Sequence, residues 1–222
     1  MPSVKVARKA ADTDMTPFVD VAFLILFFFI MATKFKPPEA VEITTPNSVS
    51  SKQLEEKDGI LVELDKDGRV FFGMQAEKDP AAKYAVIKNL NSSRNLGLSE
   101  TEMKNFVKTH SVGVPFGMLK QLLSRPVEEQ KNVKQPGIPV KDSLSNELYF
   151  WVRDAVSAFA GKPLIYLVKG DNGAKYPDFK RVLEAFKRND IYKFQLVTSP
   201  EAAPEGTELY NQRQAGSKPA SE

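Results

Sequence analysis

Cysteine is absent from the 222 residues, and histidine occurs once. Zero Cys removes disulfides, thiolate metal sites and cysteine nucleophiles together. One His with no Cys leaves too few good ligands for a zinc site, and it excludes a multi-histidine catalytic centre. An excess of one charge sign is also missing. With 31 Lys+Arg against 28 Asp+Glu, the formal charge is +3, too weak over this length to argue for nucleic acid. No Gly-rich phosphate loop, Gly-x-Ser-x-Gly elbow or metal-ligand cluster is found, so neither a catalytic nor a metal site is assigned and no cofactor is expected. The lack of Cys does not fix the compartment, since many proteins of oxidising compartments have none. At about 150 residues per domain, the length admits one or two domains. Mean hydropathy is −0.31, that of a soluble chain, but the average conceals one segment.

That segment is residues 16–34, TPFVDVAFLILFFFIMATK. Every residue from Val21 to Ala32 is apolar, and extension back to Phe18 adds one polar group, Asp20. As a helix, residues 18–35 would rise about 27 Å against a hydrocarbon core of about 30 Å. Three readings compete. A cleaved signal peptide needs a small-residue cleavage site, which the following Met31, Ala32, Thr33 and Lys34 match poorly, and an Asp in its apolar region is unusual. A core helix of a soluble protein would have to be wrapped on all sides, because the run Phe27, Phe28, Phe29 shows no polar face. A retained membrane span fits best. Lys5, Arg8 and Lys9 precede it, while Lys34 and Lys36 follow. This small bias favours a cytoplasmic N-terminus and leaves about 185 residues outside.

Asp20 is the most informative residue. A carboxylate within a span costs roughly 2.5–3.5 kcal/mol on insertion scales, so it needs a reason. The expected start of the helix, Thr16 as N-cap and Pro17 as first helical residue, puts Asp20 about one turn inside. There the helix dipole tolerates a negative charge, which is the plain alternative to function. The functional reading is proton carriage. A carboxyl group in low dielectric resists ionisation, so it can accept a proton from one side and release it to the other. A single span cannot enclose a water path, so the chain is expected to be a subunit whose Asp20 faces other helices. Thr16, Phe23, Leu24, Phe27 and Met31 share its face at helical spacing.

The stretch of residues 14–21, DMTPFVDV, followed by an apolar run at the start of a lone N-terminal span, resembles the signature of the ExbD/TolR family of biopolymer transport proteins. By this resemblance Asp20 matches the protonatable aspartate, and Thr16 and Pro17 match the residues that begin its helix. The resemblance implies a homodimer inside a pentameric multi-span partner of ExbB or TolQ type, with proton flow passed as motion to an energy transducer of TonB or TolA type. It also implies a location in the bacterial inner membrane, with the C-terminal domain in the periplasm. The implied fold class is a single-pass membrane protein: one transmembrane helix plus an α+β periplasmic domain, a small sheet with helices on one face. Asp14 departs from the family pattern, standing where an Asn-like residue is common.

Residues 1–15 are thus assigned to the cytoplasm and 16–35 to the span. Residues 36–58, rich in Pro, Ser and charge, are assigned to a linker. Within it Val41 and Ile43 alternate with polar residues. They suggest either a short strand that pairs with a neighbouring chain, as the resemblance implies, or a plain tether. Residues 59–199 form the periplasmic domain. It opens on a hairpin over residues 60–72, whose turn contains Asp65, Asp67 and Gly68 and only faintly resembles a calcium loop. Residues 76–141 read as an inserted helical block, an atypical addition to the family pattern. It carries a helix from Pro80 to about Leu90, a capping box at Ser99–Glu102, a short helical piece after Pro115, and a loop from Arg125 to Lys141. His110 is read as a helix-end residue. A helix over 144–160 with Trp151 in the core, a strand over 164–168, a helix over 177–187 and a strand over 194–198 complete the domain in a βαβ unit. Residues 200–222 are polar and expected to be disordered.

The leading function is a proton-driven subunit of an ExbB–ExbD-type complex that energises TonB-dependent transport, with no enzymatic activity. The alternatives are a TolR-like envelope subunit and a signal-anchored periplasmic enzyme or binding module.

Overall fold

The computed structural model describes residues 15–32, 40–49, 59–75, 79–141, 146–201, 204–207 and 210. They fall in two units, Met1–Lys36 and Pro37–Glu222. The first contributes one described element, helix α1, Thr16–Ala32. Its 17 residues rise about 26 Å, and none of them is buried. No helix among the described residues is long and apolar enough to cross a membrane. The end expected for the span, residues 33–35, lies outside the described residues.

The second unit is an α+β domain. Its first described strand, β1 (Asn47–Ser48), is discussed with the candidate site. The hairpin forms as expected: β2 (Gly59–Leu64) pairs antiparallel with β3 (Val70–Gln75), Ile60 opposite Met74 and Leu64 opposite Val70. The turn is closed by Asp65, whose Oδ1 accepts from the amides of Asp67 and Arg69, and whose Oδ2 accepts from Arg69 Nε at 2.7 Å. The carboxylate is thus bonded within its own turn.

The block after the hairpin begins with α2, Pro80–Arg94, four residues longer than the sequence suggests. Asp79 caps it by accepting from the Ala82 amide, and Asn95 closes it in the left-handed region at φ 51°. Helix α3, Glu100–Lys108, carries the expected reciprocal capping box of Ser99 and Glu102. Then come β4 (Ser111–Val112), α4 (Phe116–Leu123) and α5 (Val127–Gln130). Neither β4 nor α5 is legible in the sequence. The first is a two-residue edge strand and the second a single turn, both too short for periodicity to show. The loop expected from Arg125 to Lys141 is therefore interrupted by α5. Helix α6, Glu147–Ala158, strand β5, Ile165–Gly170, helix α7, Tyr176–Lys187, and strands β6, Gln195–Val197, and β7, Ser199–Pro200, complete the described elements. Leu144, expected at the head of α6, lies outside the described residues.

The main sheet is mixed, in the order β4-β3-β2-β5-β6, with β5 parallel to both β2 and β6. The strand–helix–strand unit of β5, α7 and β6 thus has the parallel pairing its pattern predicts. Residues 79–141 run between β3 and α6 and rejoin the sheet edge at β4, so β2 and β5 become neighbours across a long excursion. One core joins Ile60, Val62 and Phe72 of the sheet to helix residues such as Val86, Phe106 and Phe186. Trp151 is fully buried there, stacked against Phe72 at 4.9 Å and Phe106 at 5.4 Å between ring centroids. It is a core residue, as the sequence predicts.

The strand pattern puts Leu61 and Glu63 on the opposite sheet face. There both are buried as well, with Glu63 fully so. Its carboxylate has no hydrogen-bond partner among the described residues, and its nearest cation is Lys169 at 3.5 Å on the neighbouring strand. On that edge of the fold, Gly113 lies so close to the Phe71 ring that an added Cβ would sit 2.1 Å from a ring carbon. Only glycine fits there.

Lys83 is a second charge brought inside. It is 7% exposed, and its Nζ donates to the carbonyl of Thr109 at 2.6 Å, at the C-terminal end of α3. Burial pulls its ammonium down from 10.5 to about 8. Between those values the unfolded chain holds a proton that the folded chain has released, so stability rises with pH through this window. The full rise amounts to about 3 kcal/mol at 1.36 kcal/mol per unit. Chemical denaturation from pH 7 to 9.5 is expected to show about 2 kcal/mol of that gain in the wild type and none of it in Lys83→Met. Parallel pH profiles for the two proteins would reject the assignment.

Candidate functional site

The chemistry-bearing side chain of the first unit is Asp20. Helix α1 starts where Pro17 permits: a proline near the start removes an amide that has no intrahelical acceptor anyway. The helix begins one residue earlier than expected, with Thr16 already helical and the Val19 amide donating to Met15 O at 3.0 Å. Asp20 is therefore the fifth helical residue, one turn in, and it is exposed. It is the single charged residue in TPFVDVAFLILFFFIMA. Phe23, Leu24, Phe27 and Met31 line its face, and Met31 is 85% exposed. The unusual feature is the uniformity of this exposure. Large apolar side chains surround the helix and none is buried among the described residues, a surface of the kind that lipid or other helices cover. One helix offers Asp20 no partner acid, base or water path of its own.

The second unit holds the other residues singled out by sequence. Val41 and Ile43 are half-buried and alternate with exposed Glu42 and Thr44, but they belong to no strand. Pairing occurs a few residues later: β1 runs parallel to β7, with Asn47 opposite Ser199 and Ser48 opposite Pro200. The stretch is tied down on both sides. The Thr44 amide donates to Asp171 Oδ2 at 3.0 Å, and the Asn172 amide donates to Thr44 O at 2.9 Å. Thr45 and Ser199 share a hydroxyl–hydroxyl bond of 2.6 Å, and the Ser199 amide donates to Pro46 O at 3.0 Å. The amides of Gly173 and Thr44 hold the Asp171 carboxyl below the usual carboxylate range. Asp171 and Ser199 are functional-looking contacts that sequence reasoning missed. The only signal was a turn-like Asp171, Asn172, Gly173, which says nothing about a partner 127 residues away.

His110 follows the end of α3 and is half-buried. No group of three His, Asp or Glu able to hold a metal ion occurs among the described residues. The arrangement thus offers one isolated, exposed acid on an apolar helix, and a separate α+β domain that clasps the stretch ahead of β2.

A family model described as "Biopolymer transport protein ExbD/TolR" matches residues 7–201. The match takes in α1 with Asp20, the hairpin, the helical block and the βαβ unit. No curated protein and no solved structure matches the chain.

Proposed function

Because the chain belongs to the ExbD/TolR family, a family of transport proteins and not of enzymes, we propose that it is the proton-carrying, single-span subunit of an ExbB–ExbD-type inner-membrane complex. In this reading α1, continued to about Phe35, crosses the bilayer with the N-terminus in the cytoplasm, and the α+β domain lies in the periplasm. Two copies sit inside a multi-span pentamer of ExbB/TolQ type. The Asp20 pair picks up protons from one side and releases them to the other. A transducer of TonB or TolA type carries the resulting motion to the outer membrane, where TonB-dependent transport is the preferred client.

The observation that carries the reading is Asp20 lying one turn inside a helix that is otherwise apolar and exposed on every side. Such an acid is costly in lipid unless neighbouring helices and water receive it. Thr16 and Pro17 supply the start that fixes its depth. Val41 and Ile43 stay assigned to the stretch that a partner strand would meet, with the clasp at Asp171 and Ser199 holding it ready in the meantime.

The assembly is tested by co-expressing the full chain with an ExbB-type partner. The pair is expected to co-purify from detergent-extracted membranes, and a phosphatase fused after residue 40 is expected to be active in the periplasm. Recovery of the chain from the soluble fraction, or an inactive fusion, would defeat the proposal.

A further inference from the structure

The helical excursion between β3 and α6 carries a groove that neither the sheet nor the proton-carrying reading uses. It is a shallow, open depression of about 410 Å³ between α2 and α3, lined by Pro80, Ala81, Tyr84, Lys104, Val107 and Lys108. Pro80 and Ala81 are exposed, and Tyr84 and Val107 are half-buried. The floor is apolar, and the two charged residues on the rim are both lysines, one turn apart on α3.

Among the described residues no acid lines this groove, and the carboxylates of Asp79, Glu100 and Glu102 nearby have other work. Asp79 caps α2 and is bonded to Lys162. Glu102 is held in the capping box by the Ser99 amide at 2.7 Å. Glu100 reaches Lys104 at 3.8 Å with both side chains well exposed, a contact that holds a lysine only weakly. Lys104 and Lys108 therefore present positive charge beside an apolar trough of a size that takes one or two large side chains.

From this complementarity we infer that the α2–α3 groove docks an acidic segment of a partner polypeptide, with an aromatic or aliphatic anchor on the floor and carboxylates at Lys104 and Lys108. The inference stands apart from the role of Asp20, because it rests on residues of the second unit alone.

The test uses the full chain in detergent micelles. The probe is a fluorescein-labelled peptide with a Leu-Phe centre flanked by Asp-Glu on both sides, followed by fluorescence anisotropy. Two control peptides replace the flanking acids with lysines or the centre with Gly-Gly. Saturable binding of the acidic Leu-Phe peptide is expected, weakening roughly tenfold in the double variant Lys104→Glu/Lys108→Glu and falling with added salt. Tyr84→Ala is expected to weaken it as well, and both controls to bind poorly. Unchanged thermal melting of the variants would show that the fold is intact. The inference is overturned if the charge-reversed protein binds equally well, if the lysine peptide binds as tightly, or if no saturation occurs up to about 1 mM.

Discussion

Asp20→Asn is expected to reduce energised transport to the level of cells lacking the gene. The substitution keeps the size and shape of the side chain but removes the exchangeable proton. One proton moving down about 100 mV delivers roughly 2.3 kcal/mol, and without a titrating group that energy has no point of entry. Insertion is not harmed, because an amide is easier to place in lipid than a carboxylate. The variant should therefore still reach the membrane and co-purify with its partner in normal amount. The two readouts separate the functional classes. An anchored enzyme or binding module would keep its activity in Asp20→Asn, and normal transport by the variant would end the proton-carrying reading. Loss of co-purification together with transport would point instead to a structural role in helix packing.

Trp151→Ala is expected to cost about 3–5 kcal/mol, the range for removing a large aromatic from a core. Trp151 is fully buried and joins four elements: α6 carries it, Phe72 of β3 and Phe106 of α3 stack against it, and Phe116 of α4 lies at 5.9 Å. Domain stabilities typically lie at about 5–15 kcal/mol, so the loss takes a large share. For a domain of this size it corresponds to a drop in Tm of about 10 °C or more. Trp151→Phe is expected to be much milder. It keeps a ring in the stack and removes Nε1, which is buried with no hydrogen-bond partner among the described residues. Thermal unfolding followed by circular dichroism distinguishes the two. A Tm for Trp151→Ala within about 2 °C of wild type would contradict the central role of this stack.

Much of the fold was legible because its signals are local. The hairpin announced itself by alternation around a Gly-containing turn, α3 by its capping box, and α7 by apolar spacing after Pro177. The end of α6 was marked by Gly161, which takes φ 84°. The shortfalls share a cause. Strands β1, β4 and β7 are each two residues long, so nothing in their own composition distinguishes them from loop. Each exists because a distant partner offers its backbone groups. Glu63 and Lys83 were equally illegible as buried residues. A Glu alternating with Ile and Leu in a strand, or a Lys on a helix, belongs by default on a wet face. Here a second covered sheet face and the end of α3 enclose them.

The candidate site divides in the same way. Asp20 could be found in the sequence because its message is chemical and local: a single acid, one turn beyond Thr16 and Pro17, in a run that is otherwise apolar. The same residues carried the resemblance to the family whose model matches most of the chain. The clasp on residues 44–48 and the α2–α3 groove are relations between residues far apart in the chain. Asp171 meets Thr44 across 127 positions, and Lys104 and Tyr84 line one groove only because two helices pack side by side. Periodicity and capping fix which segments become helix or strand, since those preferences act within one or two turns. Which faces then meet, and which charges end up inside, is decided by packing, because burial is a property of the assembled layers and not of any one segment.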